Sequence, residues 1–152
     1  MDVVYDDRTV ESVEKIKDIQ NPQRVILLEF HNATLTPNNL DPFRGGCLKY
    51  ILGNISIGGI SAKGMFSELR CLEYVPSLDT SRIIDMSNMF SGCISFNHPL
   101  EFDTVNVTNM REMFMGCTAF NQQLLFDVCN VIDTTRMVYG CAIIEHLRSE
   151  AL

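Results

Sequence analysis

The sequence predicts an α/β solenoid: 24-residue coils, each a short strand plus a short helix, closed by an N-terminal and a C-terminal cap. Three observations lead there. Asp79, Asp103 and Asp127 open successive units at a constant spacing. The first two units, DTSRIIDMSNMFSGCISFNHPLEF and DTVNVTNMREMFMGCTAFNQQLLF, align without a gap and match at 11 of 24 positions. Inside each unit, apolar residues recur at helical spacing. Self-similarity at a short fixed period marks units that bury their apolar faces only against one another.

The helix expectation rests on Met86, Met89, Phe90 and Cys93, which fall at i, i+3, i+4 and i+7 and so share one helical face. Met110, Met113, Phe114 and Cys117 repeat that face. Ala62, Met65, Phe66 and Leu69 supply an upstream copy, and Thr134, Met137, Val138 and Cys141 a weaker downstream one. Asp85 or Ser87, and Thr108 or Asn109, carry the side-chain oxygens that cap helix N-termini. Gly92, Gly116 and Gly140 fall where a helix ends in a left-handed residue. The rest of each unit reads as extended. Leu100 and Phe102 alternate with polar neighbours, as do Leu124 and Phe126, and Val105 and Val107 are placed on one face.

Stacking predicts ladders: Cys93, Cys117 and Cys141 above one another, then Phe96 and Phe120, then Asn97 and Asn121. An aspartate ladder of Asp79, Asp103 and Asp127 could hold calcium. The more ordinary use of such an Asp is an Asx-turn to the backbone two residues on, and that is the expectation here.

Three segments follow from this reading. Residues 1–46 are the N-terminal cap and a degenerate first coil, 47–142 the repeat solenoid, and 143–152 a C-terminal capping helix. Within the first, Val10, Val13, Ile16 and Ile19 recur every three residues, with Thr9 as a cap and Pro22 just beyond, predicting a short amphipathic helix. RVILLEF, residues 24–30, reads as a buried strand, and His31 to Gly46 as loop. In the last segment Ile143, Ile144 and Leu147 share a helical face.

The 19 acidic residues exceed the 12 basic ones, for a formal charge of −7. That balance repels phosphate backbones and anionic membrane surfaces, so neither nucleic acid nor membrane is the expected partner. The acidic start, MDVVYDD, does not read as a signal peptide, and no apolar run reaches a spanning length. A cytoplasmic chain is expected, in which the sequons at Asn32, Asn54 and Asn106 stay bare. Cys47, Cys71, Cys93, Cys117, Cys129 and Cys141 include no CxxC pair, and six reduced, buried thiols are expected rather than disulfides or a zinc site.

The units DTSRIIDMSNMFSGCISFN and DTVNVTNMREMFMGCTAFN resemble the BspA-like repeats, a leucine-rich-repeat relative best known as a mycoplasma-type domain of unknown function. The resemblance is strong over Asp79–Phe126 and weak over Ile55–Leu78 and Asp127–Leu147. It implies a leucine-rich-repeat-like solenoid used as an interaction or surface module, with no catalytic residues to carry over. The family's occurrence in bacterial surface proteins, protists and large DNA viruses implies, in the absence of an export signal, a cytoplasmic or large-virus setting. The latter includes incorporation into a virion.

The functional expectation is a non-catalytic protein–protein interaction module with protein partners, no cofactor and no metal. The candidate surface comprises Arg82, Asn106 and Asn130 at one varying phase of the repeat and Ser87, Arg111 and Thr135 at another. The alternative is a structural component of a large assembly, such as a minor capsid or virion protein. An enzyme is not expected: His31, His98 and His146 are the only imidazoles, and no G-x-S-x-G, H-E-x-x-H or P-loop surrounds them.

Overall fold

The computed structural model describes residues 1–5, 10–12 and 14–142. Its regular sheet lies at the N-terminal end. Strand β1 (Asp2–Tyr5) pairs antiparallel with β2 (Val10–Ser12) and with β3 (Val25–Leu35), and β3 pairs in parallel with β4 (Tyr50–Ile57). The strand order is β2-β1-β3-β4. The crossover from β3 to β4 contains a single 3₁₀ turn, Asp41–Phe43, which drives Phe43 into the core. Along β3, Val25, Leu28, Phe30 and Leu35 are buried and meet Val3, Ile51 and Ile55 in the core. The β3–β4 register slips between Phe30 and Ala33. Gly53 sits at that slip with φ +91°, and a Cβ there would lie 2.0 Å from the Phe30 carbonyl oxygen, so only glycine fits.

The strand expected over 24–30 is present, but it starts one residue later and runs on through His31–Leu35, where the sequence predicts loop. The amphipathic helix expected over Val10–Ile19 is absent. Val10–Ser12 is a strand, and Ile16–Asp18 forms one 3₁₀ turn. A period of three fits a 3₁₀ turn as well as a helical face, and pairing with β1 decides the first part.

The predicted α/β solenoid of strand-plus-helix coils is overturned. Among the described residues there is no α-helix, and beyond β4 the chain is built of turns. The residues meant to form the helical face are buried as expected: Met86, Met89, Phe90 and Cys93, then Met110, Met113, Phe114 and Cys117. Their backbone is not helical, because Asn88, Glu112 and Arg136 have φ of 57°, 56° and 54°, and Gly92, Gly116 and Gly140 have φ of 77°, 75° and 80°. A right-handed helix cannot carry a left-handed residue every fourth position. Two consecutive turns form instead. In the first, the Met89 N–H donates to the Met86 carbonyl with Asn88 third in the turn; in the second, the Cys93 N–H donates to Phe90 with Gly92 third. A third residue at positive φ is the requirement of a type II turn.

The N–H groups between those turn closures reach the next unit. Met86, Asn88, Phe90 and Gly92 donate to the carbonyls of Asn109, Arg111, Met113 and Met115 at 2.8–2.9 Å. Parallel backbone pairing joins Ser61 to Asp85, Asp85 to Asn109, and Asn109 to Asp133, and Tyr50 to Tyr74 ties the sheet to the first unit. The copies therefore lie in register, with Met89 and Met113 fully buried and Met137 half-buried on the same core. Phe66, Phe90 and Phe114 stack with ring centroids 5.0 and 5.5 Å apart, and Phe96 stacks on Phe120 at 6.1 Å. The paired valines are a further correction: Val107 is buried while Val105 is exposed, since a turn rather than a strand separates them. The C-terminal capping helix expected over 143–152 lies outside the described residues.

Candidate interaction face

Three successive units present to solvent the corner that precedes their second Asx-turn. Asp85, Asn109 and Asp133 accept the N–H of Ser87, Arg111 and Thr135 at 2.8, 3.0 and 2.8 Å, and these bonds hold the corner in one shape. Asp79, Asp103 and Asp127 do the same one turn earlier, accepting from Ser81, Val105 and Cys129, as the Asx-turn expectation required. Hydrogen bonds from the Ser81 hydroxyl and N–H hold the Asp79 carboxyl below the usual range. The Cys129 N–H, then its thiol, does so for Asp127, and the Thr135 hydroxyl, then its N–H, for Asp133. Among the described residues no group of acidic, His or Cys side chains is arranged to hold a metal ion.

Between the two Asx-turns stand Ile84, Thr108 and Ile132, one per unit, and Ile60 holds the same place one unit earlier. The Ile84 N–H donates to the Ile60 carbonyl at 2.9 Å, Thr108 to Ile84 at 2.9 Å, and Ile132 to Thr108 at 2.8 Å. The four residues therefore form a line along the stack. The isoleucines are exposed, by 53% at Ile60, 40% at Ile84 and 88% at Ile132. Val105 and Val128 add exposed apolar surface in the neighbouring turns. Scattered exposed apolar residues are ordinary, whereas an in-register line of them is the kind of surface that partners cover.

The six residues singled out from the sequence divide around this line. Arg82, Arg111 and Thr135 are exposed beside it. Arg111 pairs with Glu112 at 3.2 Å and lies 4.0 Å from Asp133. Asn106 and Asn130 are exposed, but their amides donate to the carbonyls of Ser81 and Val105 at 2.8 and 2.7 Å, binding each unit to the one before it. Ser87 is 2% exposed and its hydroxyl has no hydrogen-bond partner, so it faces inward. The isoleucines were missed, although their spacing in multiples of 24 residues was there to be read.

The remaining chemistry-bearing groups serve the framework. Cys93, Cys117 and Cys141 are buried and unbridged, while Cys47 and Cys129 are exposed and Cys71 is half-buried, so burial of all six thiols is corrected. Burial pushes the Cys93 thiol well up, Cys117 to about 12 and Cys141 to about 11. His31 meets Asp2 at 3.0 Å, and His98 packs edge-on against Tyr74 with centroids 4.5 Å apart. His146 lies outside the described residues.

A family model described as Mycoplasma protein of unknown function, DUF285, matches residues 60–149, more than half of the chain. The chain belongs to this family. The match begins at Ile60, the first member of the exposed line, and takes in every in-register unit. The N-terminal sheet precedes the residues matched to the DUF285 family. No curated protein and no solved structure matches the chain. Among the described residues no helix is long and apolar enough to cross a membrane.

Proposed function

We propose that the chain is a non-catalytic protein–protein interaction module that presents the line Ile60–Ile84–Thr108–Ile132 to a protein partner. The observation that carries this reading is the in-register exposure of the three isoleucines. Covering such a line removes apolar area from water, which is the main favourable term in most protein association. Arg82 and Arg111 flank it, and charges at the rim orient a partner more than they hold it. The buried thiols donate to backbone carbonyls, which supports a framework role for them rather than a nucleophilic one.

The test is the double substitution Ile84→Asp and Ile132→Asp. Both side chains are exposed, so thermal stability should hold, while the affinity for a co-purified partner should fall at least about tenfold, or ~1.4 kcal/mol. Undiminished, saturable binding by the variant would sink the proposal.

A second reading, a structural component of a large assembly such as a virion, is favoured by the crowding of exposed apolar residues at and just before the last described unit: Leu125, Val128, Ile132 and Tyr139. Fixed copy number in a purified particle supports it, and a free monomer at all concentrations opposes it.

A further inference from the structure

Within the paired turns the backbone hydrogen bonds between units run one way, opposite to the return bonds made by Ile84, Thr108 and Ile132. Ala62, Gly64, Phe66 and Glu68 donate to the carbonyls of Asp85, Ser87, Met89 and Ser91. Met110, Glu112, Phe114 and Gly116 donate to those of Asp133, Thr135, Met137 and Tyr139. In the last described unit the same places are held by Thr134, Arg136, Val138 and Gly140. Among the described residues, none accepts a hydrogen bond from their N–H groups. The carbonyls of Thr134, Arg136 and Val138 are already taken by the N–H groups of Met137, Tyr139 and Cys141. This end of the stack is a row of donors on every second residue. Met137 and Val138 are half-buried there at the end of the core, beside Tyr139, which is 66% exposed.

We infer that this end is a docking edge for an extended backbone segment of a protein partner, which lends main-chain carbonyls on every second residue and lays apolar side chains over Met137 and Val138. The inference rests on the interaction-module reading and names the chemistry of a partner, at an edge distinct from the isoleucine line. Four donors at this pitch call for acceptors at the same pitch, and the three layers beneath show that a polypeptide backbone supplies them. A second copy offering the same end would set N–H against N–H. At the opposite end of a second copy, no N–H of the described residues donates to the matching carbonyls of Ser61, Lys63, Met65 and Ser67, but Arg44 and Gly45 stand beside them. The Gly45 N–H donates to the Glu68 carbonyl at 3.1 Å, and the Arg44 guanidinium donates to the Gly64 carbonyl at 3.1 Å and to the Ser67 hydroxyl, bonds that head-to-tail stacking would have to displace. The apolar surroundings and the acidic balance disfavour a phosphate chain as the source of acceptors.

The test is amide hydrogen exchange on the full 152-residue chain under reducing conditions, with a synthetic peptide copying residues 109–120, NMREMFMGCTAF, as the probe. Its carbonyls at the positions of Asn109, Arg111, Met113 and Met115 are those that accept from the layer below them in the chain. In the free protein, the amides of Arg136, Val138 and Gly140 should exchange at least about a hundredfold faster than those of Glu112, Phe114 and Gly116. Saturating peptide should slow them at least about tenfold, and a shuffled peptide should not. Protection of those amides before any peptide is added would mean that the chain itself fills the edge, and would overturn the inference. So would unchanged exchange at millimolar peptide. If the peptide fails while the Ile84→Asp and Ile132→Asp variant still loses a partner, the edge alone is refuted. If neither arm shows binding, the interaction reading falls with it.

Discussion

The sulfur atoms of Cys93, Cys117 and Cys141 lie 3.0, 2.9 and 3.0 Å from the carbonyl oxygens of Phe66, Phe90 and Phe114, one unit back in each case. Each thiol donates its proton to a carbonyl that the turn geometry leaves facing the core. That role needs a protonated sulfur, and burial raises all three thiols, so the native protein holds little thiolate at these places. Alkylation of the native chain at pH 8, followed by mass spectrometry, should modify Cys47 first and Cys129 more slowly, because the Asp127 carboxylate holds the Cys129 thiol up, and leave Cys93 and Cys117 unmodified until denaturant is added. Labelling of Cys117 at the rate of Cys129 would contradict this account. The phase of the repeat made the three buried cysteines legible. It said nothing of Cys47 and Cys129, which stand outside that phase and are exposed.

At the scale of the unit, the choice between helix and paired turns is made by backbone conformation rather than by burial. Apolar residues at i, i+3, i+4 and i+7 point to one side in either structure, so the buried set Met86, Met89, Phe90 and Cys93 was readable while its conformation was not. The distinguishing positions are Asn88, Glu112 and Arg136, all at positive φ. Asparagine there hints at a left-handed residue; glutamate and arginine do not. Their left-handed conformation is sustained because alternate N–H groups find acceptors in the next unit, a gain that no isolated propensity reports. Asn88→Val should cost about 1–2 kcal/mol in urea unfolding, since a β-branched residue at φ near 57° is strained. Asn88→Gly should fall within about 1 kcal/mol of the parent. Equal stability of the valine and glycine variants would remove the turn argument.

Taken whole, the molecule is one continuous core running from Val3 in the N-terminal sheet to Cys141 in the last described unit. The 24-residue period was legible because identical contacts recur between units, and the ladders followed from it. The N-terminal sheet was only partly legible, since the pairing of β1 with β2 and β3 joins segments with no shared pattern. Of the candidate surface, the charged and polar flank was seen and the isoleucine line was not, because exposed β-branched residues read as strand interior.

Acid behaviour belongs to this scale, since Asx carboxylates recur in three successive units. Asp79, Asp127 and Asp133 are held below their ordinary value by hydrogen bonds made only in the folded chain. Their contribution is fully present above about pH 4 and is lost as the pH falls through the folded values. Tm should therefore decline from pH 5 to pH 2, and Asp133→Asn should flatten that decline while keeping the turn. An unchanged slope in the variant would show that Asp133 does not contribute.

In each of three layers four backbone bonds point forward from N–H to carbonyl and outnumber those that point back, such as Ile84 to Ile60 and Ser95 to Arg70, and the excess gives the molecule an electrical axis. Peptide dipoles summed head to tail leave fractional positive charge beside Thr134–Gly140 and fractional negative charge beside Arg44, as they do along a helix. On a chain of net charge −7, the field at one pole thus opposes the overall sign. Anionic groups in solution would approach that pole first, and the approach would weaken as added salt shortens the screening length.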